Sequence, residues 1–330
     1  MTTGRAKAAS PLAIWAGLVT LYLVWGSTYL AIRLAIDSMP PYLMIAVRFF
    51  LAGGILYAWS WVKGDLRAHP PTRREWRDSL IVGSLLLCGG MGLVAWAELT
   101  LPTGIVALLI ALMPAWVAVL GRIFFAERLV PRVVVGIVVG LVGVAVLVGP
   151  TAGGHLDPAG LVAVLVSPIL WGGGSLYSAH RARLPRAPLL ASGMQMLAAG
   201  VVATSIAAVT GEFGAVRPSA ITPESLLALG YLVTVGSIVG FGAYVWLLKV
   251  APLSRVTTYA YVNPVVAFVL GAIVLGEEIT PRTVVAAAII VVAVALIVAA
   301  RGRQSRVEEA EAGLAEAEGA GGAITLAEAD

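Results

Sequence analysis

PTGIVALLIALMPAWVAVLGRIFFAERLVP, residues 102–131, and PLSRVTTYAYVNPVVAFVLGAIVLGEEITP, residues 252–281, are two versions of one pattern. Pro102, Pro114, Gly121, Glu127 and Pro131 return as Pro252, Pro264, Gly271, Glu277 and Pro281, each 150 residues later. Upstream, Gly90, Gly92 and Trp96 return at the same displacement as Gly240, Gly242 and Trp246. Eight such coincidences without a gap mark an internal repeat, so the chain is built from two copies of one unit.

Working outward, the apolar run inside each stretch is one of ten. They lie at 12–36, 42–62, 79–97, 103–121 and 133–149, and then at 159–179, 187–210, 225–248, 256–276 and 283–300. Each is long enough to cross about 30 Å of hydrocarbon at roughly 1.5 Å per helical residue. None alternates with period two, and lipid admits only backbones that satisfy their own hydrogen bonds, so these runs read as helices. Composition agrees: 59% of the 330 residues are apolar and 12% charged, against about 45–50% and about 25% in soluble domains.

The expected fold is an all-α integral membrane protein with ten transmembrane helices. Five spans per copy is an odd number, so the second five-helix repeat is inverted relative to the first. The expected segments are an N-terminus at 1–11, repeats at 12–149 and 156–300, and an acidic tail at 301–330, solvated and disordered by composition.

Of the 22 Lys and Arg residues, 18 fall in alternate loops or termini on one side. The positive-inside rule then places both termini in the cytoplasm, with the chain in the cell (cytoplasmic, inner) membrane. This placement accounts for the net charge of +4 without a nucleic-acid partner. Cys88 has no cysteine partner, and the three histidines lack metal-ligand spacing, which leaves no disulfide, no metal and no cofactor to expect. The expected partners are a small-molecule substrate and membrane lipid.

Inverted repeats create a pseudo-two-fold axis in the membrane plane, which lets one central site face either side in turn. That is transporter architecture. Trp25-Gly26-Ser27 in the first span, Arg48-Phe49 in the second and the Pro114 to Glu127 segment closing each half resemble the EamA-type proteins of the drug/metabolite transporter superfamily. The resemblance spans roughly residues 12–300. It implies a central cavity lined mainly by helices 1, 3, 4, 6, 8 and 9, and export or facilitated movement of small metabolites, amino acids or drugs. The second copy departs from the first in carrying Trp171-Gly172-Gly173 where the first has Trp-Gly-Ser.

Several residues stand out as candidates. Pro114 and Pro264 sit near the middle of spans 4 and 9, where each removes a donor from the carbonyl four residues earlier, that of Ile110 or Ala260. Such helix breaks either expose backbone to a solute or serve helix packing. Trp25, Thr28 and Tyr29 share one helical face, as do Ser167, Trp171 and Ser175. Tryptophans near mid-membrane depth with hydroxyls beside them suggest an aromatic-walled cavity, with core packing as the alternative. Tyr244 with Phe241, and Tyr259 with Asn263, extend the same wall. Asn263 at mid-depth must bond a neighbouring helix or face a wet cavity.

Arg48 lies within span 2, and its partner is Asp37, a carbonyl or a substrate carboxylate, in either an anchoring or a recognition role. Arg33 can pair with Asp37 one turn on. Glu127 and Glu277 precede helices 5 and 10 and are expected to favour those N-termini. All acidic residues outside the tail lie in loops or at span ends, Glu98 among them, so no carboxylate relay through the membrane is expected.

The function these features favour is transport of small neutral, zwitterionic or amphipathic solutes. The alternatives are an integral membrane enzyme acting on lipid head groups and a flippase for lipid-linked substrates. No grouping of acid, base and nucleophile at membrane depth supports the enzyme. A diphosphate cargo would call for more cations than Arg48.

Overall fold

The computed structural model of the protein describes residues 10–149 and 156–327, without the side chains of 253, 254 and 305–327. The first repeat comprises α1 (Pro11–Ile36), α2 (Pro41–Val62), α3 (Arg73–Ala97), α4 (Thr103–Phe125) and α5 (Pro131–Val148). The second comprises α6 (Pro158–His180), α7 (Pro188–Val209), α8 (Pro223–Val250), α9 (Tyr259–Leu275) and α10 (Pro281–Gln304), which continues as helix to Ala327. Among the described residues nine of these are long and apolar enough to cross a membrane. The exception, α9, is shorter because a separate turn, Leu253–Val256, precedes it. From residue 305 on, the side chains of the expected acidic tail lie outside the described residues, as do residues 1–9 of the N-terminal segment.

Seven of the ten helices start on a proline, whose missing N–H is redundant at the first helical position and whose fixed φ is already helical. Ser10, Asp157 and Thr222 cap the N-termini of α1, α6 and α8 with their side chains. A capping box between Thr72 and Glu75 starts α3 at Arg73, one and a half turns ahead of the apolar run. At the far ends, α4 and α9 both stop on a left-handed residue, Ala126 (φ 56°) and Gly276 (φ 67°), 150 positions apart. The repeat thus extends to single backbone angles.

Packing shows a two-fold exchange between the copies. Helix α2 lies along its counterpart α7, and α5 along its counterpart α10, whereas α1 packs on α8 and α9 while α6 packs on α3 and α4. Each copy therefore lends its first helix to the other, as a two-fold axis in the membrane plane requires. Small residues allow the close approaches that hold helices together in lipid. A Cβ on Gly53 would stand 2.9 Å from the carbonyl oxygen of Gly193, and one on Gly143 2.7 Å from Ile290.

Two irregularities were invisible in the apolar runs. A π-helical segment occupies Ser84–Met91 of α3, and another Leu232–Val239 of α8. They occupy corresponding places in the two copies, and π-turns of this kind concentrate at functional sites. The helix breaks also differ between copies. Helix α4 is two pieces, Thr103–Ile110 and Met113–Phe125, parted just before Pro114. Pro264, by contrast, lies inside continuous α9, and the second copy is interrupted at Thr257 and Thr258 instead. The expected break at Pro264 is thus corrected. Proline removes one hydrogen bond, a loss that a helix braced by α1 and the first piece of α4 tolerates.

Candidate functional site

A cavity of about 110 Å³ lies among α1, α3, α4, α6, α8 and α9, with Arg48 reaching it from α2. One wall is aromatic. The Trp25 ring centroid lies 4.9 Å from that of Tyr259, 5.3 Å from Tyr244 and 5.8 Å from Phe241. It can sit there because Gly240, next to the π-segment of α8, has no side chain: a Cβ would stand 2.5 Å from Trp25 Nε1. Trp171 uses the equivalent vacancy in α3, where a Cβ on Gly90 would meet its ring at 2.8 Å. The spacing at offset 150 that marks these glycines in the sequence is therefore the spacing that seats the two indoles.

Trp25, Thr28, Tyr29, Trp171, Tyr259, Asn263, Pro114 and Pro264 all line this cavity. Two of the expected residues do not. Ser175, one turn beyond Trp171 on α6, is not among the lining residues, and neither is Tyr244, whose ring lies against that of Trp25. Thr28 spends its hydroxyl on the Trp25 carbonyl at 2.6 Å. Ser167 Oγ donates to the Gly90 carbonyl at 2.8 Å, joining α6 to the π-segment of α3.

The Asn263 amide nitrogen, oriented by its surroundings, donates to the carbonyls of Tyr259 at 3.2 Å and Tyr22 at 3.3 Å. It therefore bonds a neighbouring helix and faces the cavity at once. Its loss removes a bond between α1 and α9 of the kind worth about 0.6–1.7 kcal/mol in membranes. Asn263→Ala is expected to lower solute flux roughly three- to twentyfold, while Met113→Ala, at the equivalent position of α4, changes it little. Flux measured at matched expression checks this, and equal small losses would confine Asn263 to packing.

Arg48 is the member that composition flagged only as a charge within a span. It is 1% exposed, its Nε donates to Ser237 Oγ at 3.1 Å, and it forms no ion pair among the described residues. Asp37 is partner neither to it nor to Arg33, whose Nη1 donates to the backbone carbonyl of Glu98 at 2.8 Å. Glu98 itself is buried, and neither carboxylate oxygen has a partner among the described residues.

The two repeated glutamates behave differently from each other, and neither caps the helix that follows it. The Glu277 carboxylate accepts from the backbone N–H of Thr103 at 2.6 Å and of Gly104 at 3.0 Å, closing over the N-terminus of α4 in the opposite repeat. An anion at a helix N-terminus is favoured by the free amides and the dipole together, which explains the choice of terminus. Around it the piece Thr103–Ile110 packs along α9. At the other end of the bundle Glu127 accepts from Arg301 at 2.8 Å and stands 3.5 Å from His180, beside a second cavity of about 340 Å³. There the equivalent turn, Leu253–Val256, has no comparable packing against Met113–Phe125 among the described residues. One end thus carries contacts that the other end lacks among the described residues.

Comparison with known proteins follows the same division of the chain. The EamA-like transporter family matches twice, over residues 12–149 and 158–299. An uncharacterized inner membrane transporter of Escherichia coli K12, YedA, is 36% identical over 87% of this chain and 90% of its own length. A probable amino-acid metabolite efflux pump of Salmonella typhimurium is 24% identical over 81% of this chain and 89% of its own. Among solved structures, a protein crystal structure of 22% identity aligns with a TM-score of 0.59, covering 87% of this chain and 96% of that one, and shares the fold.

Proposed function

This chain belongs to the EamA-like transporter family, and from that premise we propose that it moves small neutral, zwitterionic or amphipathic metabolites, such as amino acids or drugs, by alternating access at the aromatic-lined cavity. It is a membrane transporter and not an enzyme. The family and its relatives establish that much, and the solute class and the mechanism are the proposal.

One observation carries it: the two glutamates related by the repeat occupy opposite states. Glu277 holds the amides of Thr103 and Gly104. The equivalent amides of the second copy, those of Leu253 and Ser254, open the turn Leu253–Val256, while Glu127 is turned to Arg301. In the opposite state the roles exchange, with Glu127 taking the amides of Leu253 and Ser254 and Glu277 releasing its own. With the basic loops taken as cytoplasmic, the Glu277 end faces outward, and in this proposal the conformation is closed outside and loosened inside. Trp25, Trp171, Tyr259 and Asn263 then hold the solute, and the carbonyls of Ile110 and Ala260, released by the prolines, offer it acceptors. The amino-acid efflux named for the Salmonella relative points the same way in substrate class and direction.

The test is flux through purified protein in liposomes, screened over amino acids, their toxic analogues and amphipathic drugs. Saturable movement of at least one of these, lost in the Trp25→Ala and Trp171→Ala variants, is the expected result. Protein that moves none of them, or moves them equally well without both indoles, defeats the proposal. Imposing a pH gradient in the same assay separates a facilitator from a proton-coupled carrier. Accumulation that collapses with a protonophore in wild type and is absent in Glu98→Gln would assign coupling to the buried carboxyl of Glu98.

A further inference from the structure

We infer that Arg48 is a carboxylate-binding site within the central cavity, so that the transported solute carries one carboxylate. This deepens the function proposed above and rests on it. An arginine that is 1% exposed is costly inside a membrane unless its charge and its donors are met. Here they are met only in part. Nε has Ser237, whereas Nη1 is buried without a hydrogen-bond partner among the described residues, and no carboxylate among them pairs with the group.

The cation is also in the right place. Arg48 lines the same space as Trp25, Trp171 and Asn263, and no other charged residue among those described does. Gly236, within the π-segment of α8, lines the same space and lies beside the guanidinium: a Cβ there would stand 3.4 Å from Nη2. Ser237 holds Nε of Arg48, itself a lining residue, while Nη1 has no partner among the described residues, and a guanidinium's planar fork of donors is the geometry that suits a carboxylate.

The rest of the lining narrows the class. One guanidinium offsets one negative charge, which disfavours a phosphate dianion or a dicarboxylate. Among the described residues no acidic side chain lines the cavity to receive an organic cation. An ammonium can still be accepted next to a carboxylate, by the carbonyls of Ile110 and Ala260, which lack their usual helical donors because Pro114 and Pro264 have none, and by the face of Trp25. The solute is thus a monocarboxylate or an α-amino acid with an apolar or aromatic body. A carboxylate bound at Arg48 would lie against the indoles.

Matched triplets test the charge and little else: each apolar L-amino acid, its carboxamide, and the amine that lacks the carboxyl group. Binding to purified protein is followed by quenching of tryptophan fluorescence, and flux is followed in liposomes. For at least one triplet the acid is expected to bind tenfold or more tighter than the amide, as loss of a charge-assisted hydrogen bond implies. Arg48→Gln should remove that preference and Arg48→Lys should restore part of it. The comparison within wild type stands even if Arg48→Gln fails to fold. Amides or amines binding as well as the acids, absence of binding by every acid, or an acid preference that survives Arg48→Gln each overturns the inference. Solute flux that is indifferent to the carboxyl group leaves the transporter reading intact while removing this site. Carboxyl-selective binding without any flux does the reverse.

Discussion

Replacing Glu277 with glutamine should open the end of the bundle that the proposed alternating access takes as closed. The carboxylate accepts two backbone N–H bonds at 2.6 and 3.0 Å from the first turn of α4. Glutamine keeps the shape but offers one acceptor, and sets an NH2 against the other amide. It also removes the negative charge from a helix N-terminus. A charge-assisted bond is worth about 1.5–3 kcal/mol, so the balance between closed and open should move by a factor of roughly 10 to 150. The reporter is a cysteine at Ala107, which is buried and lines the cavity, on a Cys88→Ala background. An impermeant maleimide added outside should label it at least tenfold faster in the Glu277→Gln variant than in the parent carrying Glu277. Glu127→Gln, which acts on the opposite closure, should not speed that labelling. Equal rates with and without the Glu277→Gln substitution would remove Glu277 from the closure. Labelling only from the cytoplasmic side would reverse the orientation.

Gly240→Ala should cost most of the transport activity, although alanine suits a helix better than glycine by about 0.5–1 kcal/mol. The new methyl would stand 2.5 Å from Trp25 Nε1 and 3.0 Å from Cδ1. Since the indole is already confined by Tyr259, Tyr244 and Phe241, the ring must shift into the cavity. Overpacking of this kind costs about 1–3 kcal/mol and here falls on the cavity wall, so flux should drop tenfold or more and tryptophan emission should shift. Gly242→Ala is the internal control: it lies two residues along the same helix and has nothing within 4 Å of its would-be Cβ. Gly90→Ala should reproduce the loss through Trp171. A Gly240→Ala protein that transports at the wild-type rate would show that Trp25 has no fixed place in the site.

The order of helices, the inversion and most of the cavity were legible in the sequence for two physical reasons. Lipid leaves helices as the only structure for long uncharged runs, and a repeat with an odd number of spans must invert. The displacement of 150 tied Gly90 to Gly240 before either was seen under an indole. Trp25, Thr28, Tyr29, Trp171, Tyr259 and Asn263 shared helical faces at mid-depth, and they came together as their periodicity required. Periodicity could not say where a face ends, and so Ser175 and Tyr244 were carried past the edge of the cavity.

Only tertiary structure decided the rest. The π-segments of α3 and α8 lie in stretches that read as ordinary apolar helix, because the choice between π and α hydrogen bonding depends on neighbours such as Ser167, which reaches the Gly90 carbonyl. Pro264 remained helical while Thr257 and Thr258 did not, since packing outweighs a single missing donor. Glu277 passed over its own helix to cap α4 of the other repeat. Glu127, at the matching position of the first copy, did not do the equivalent. The sequence alone determined that two inverted copies exist and which residues correspond. Which copy is latched is a property of one conformation, settled by contacts between residues 174 positions apart, and no local pattern records it.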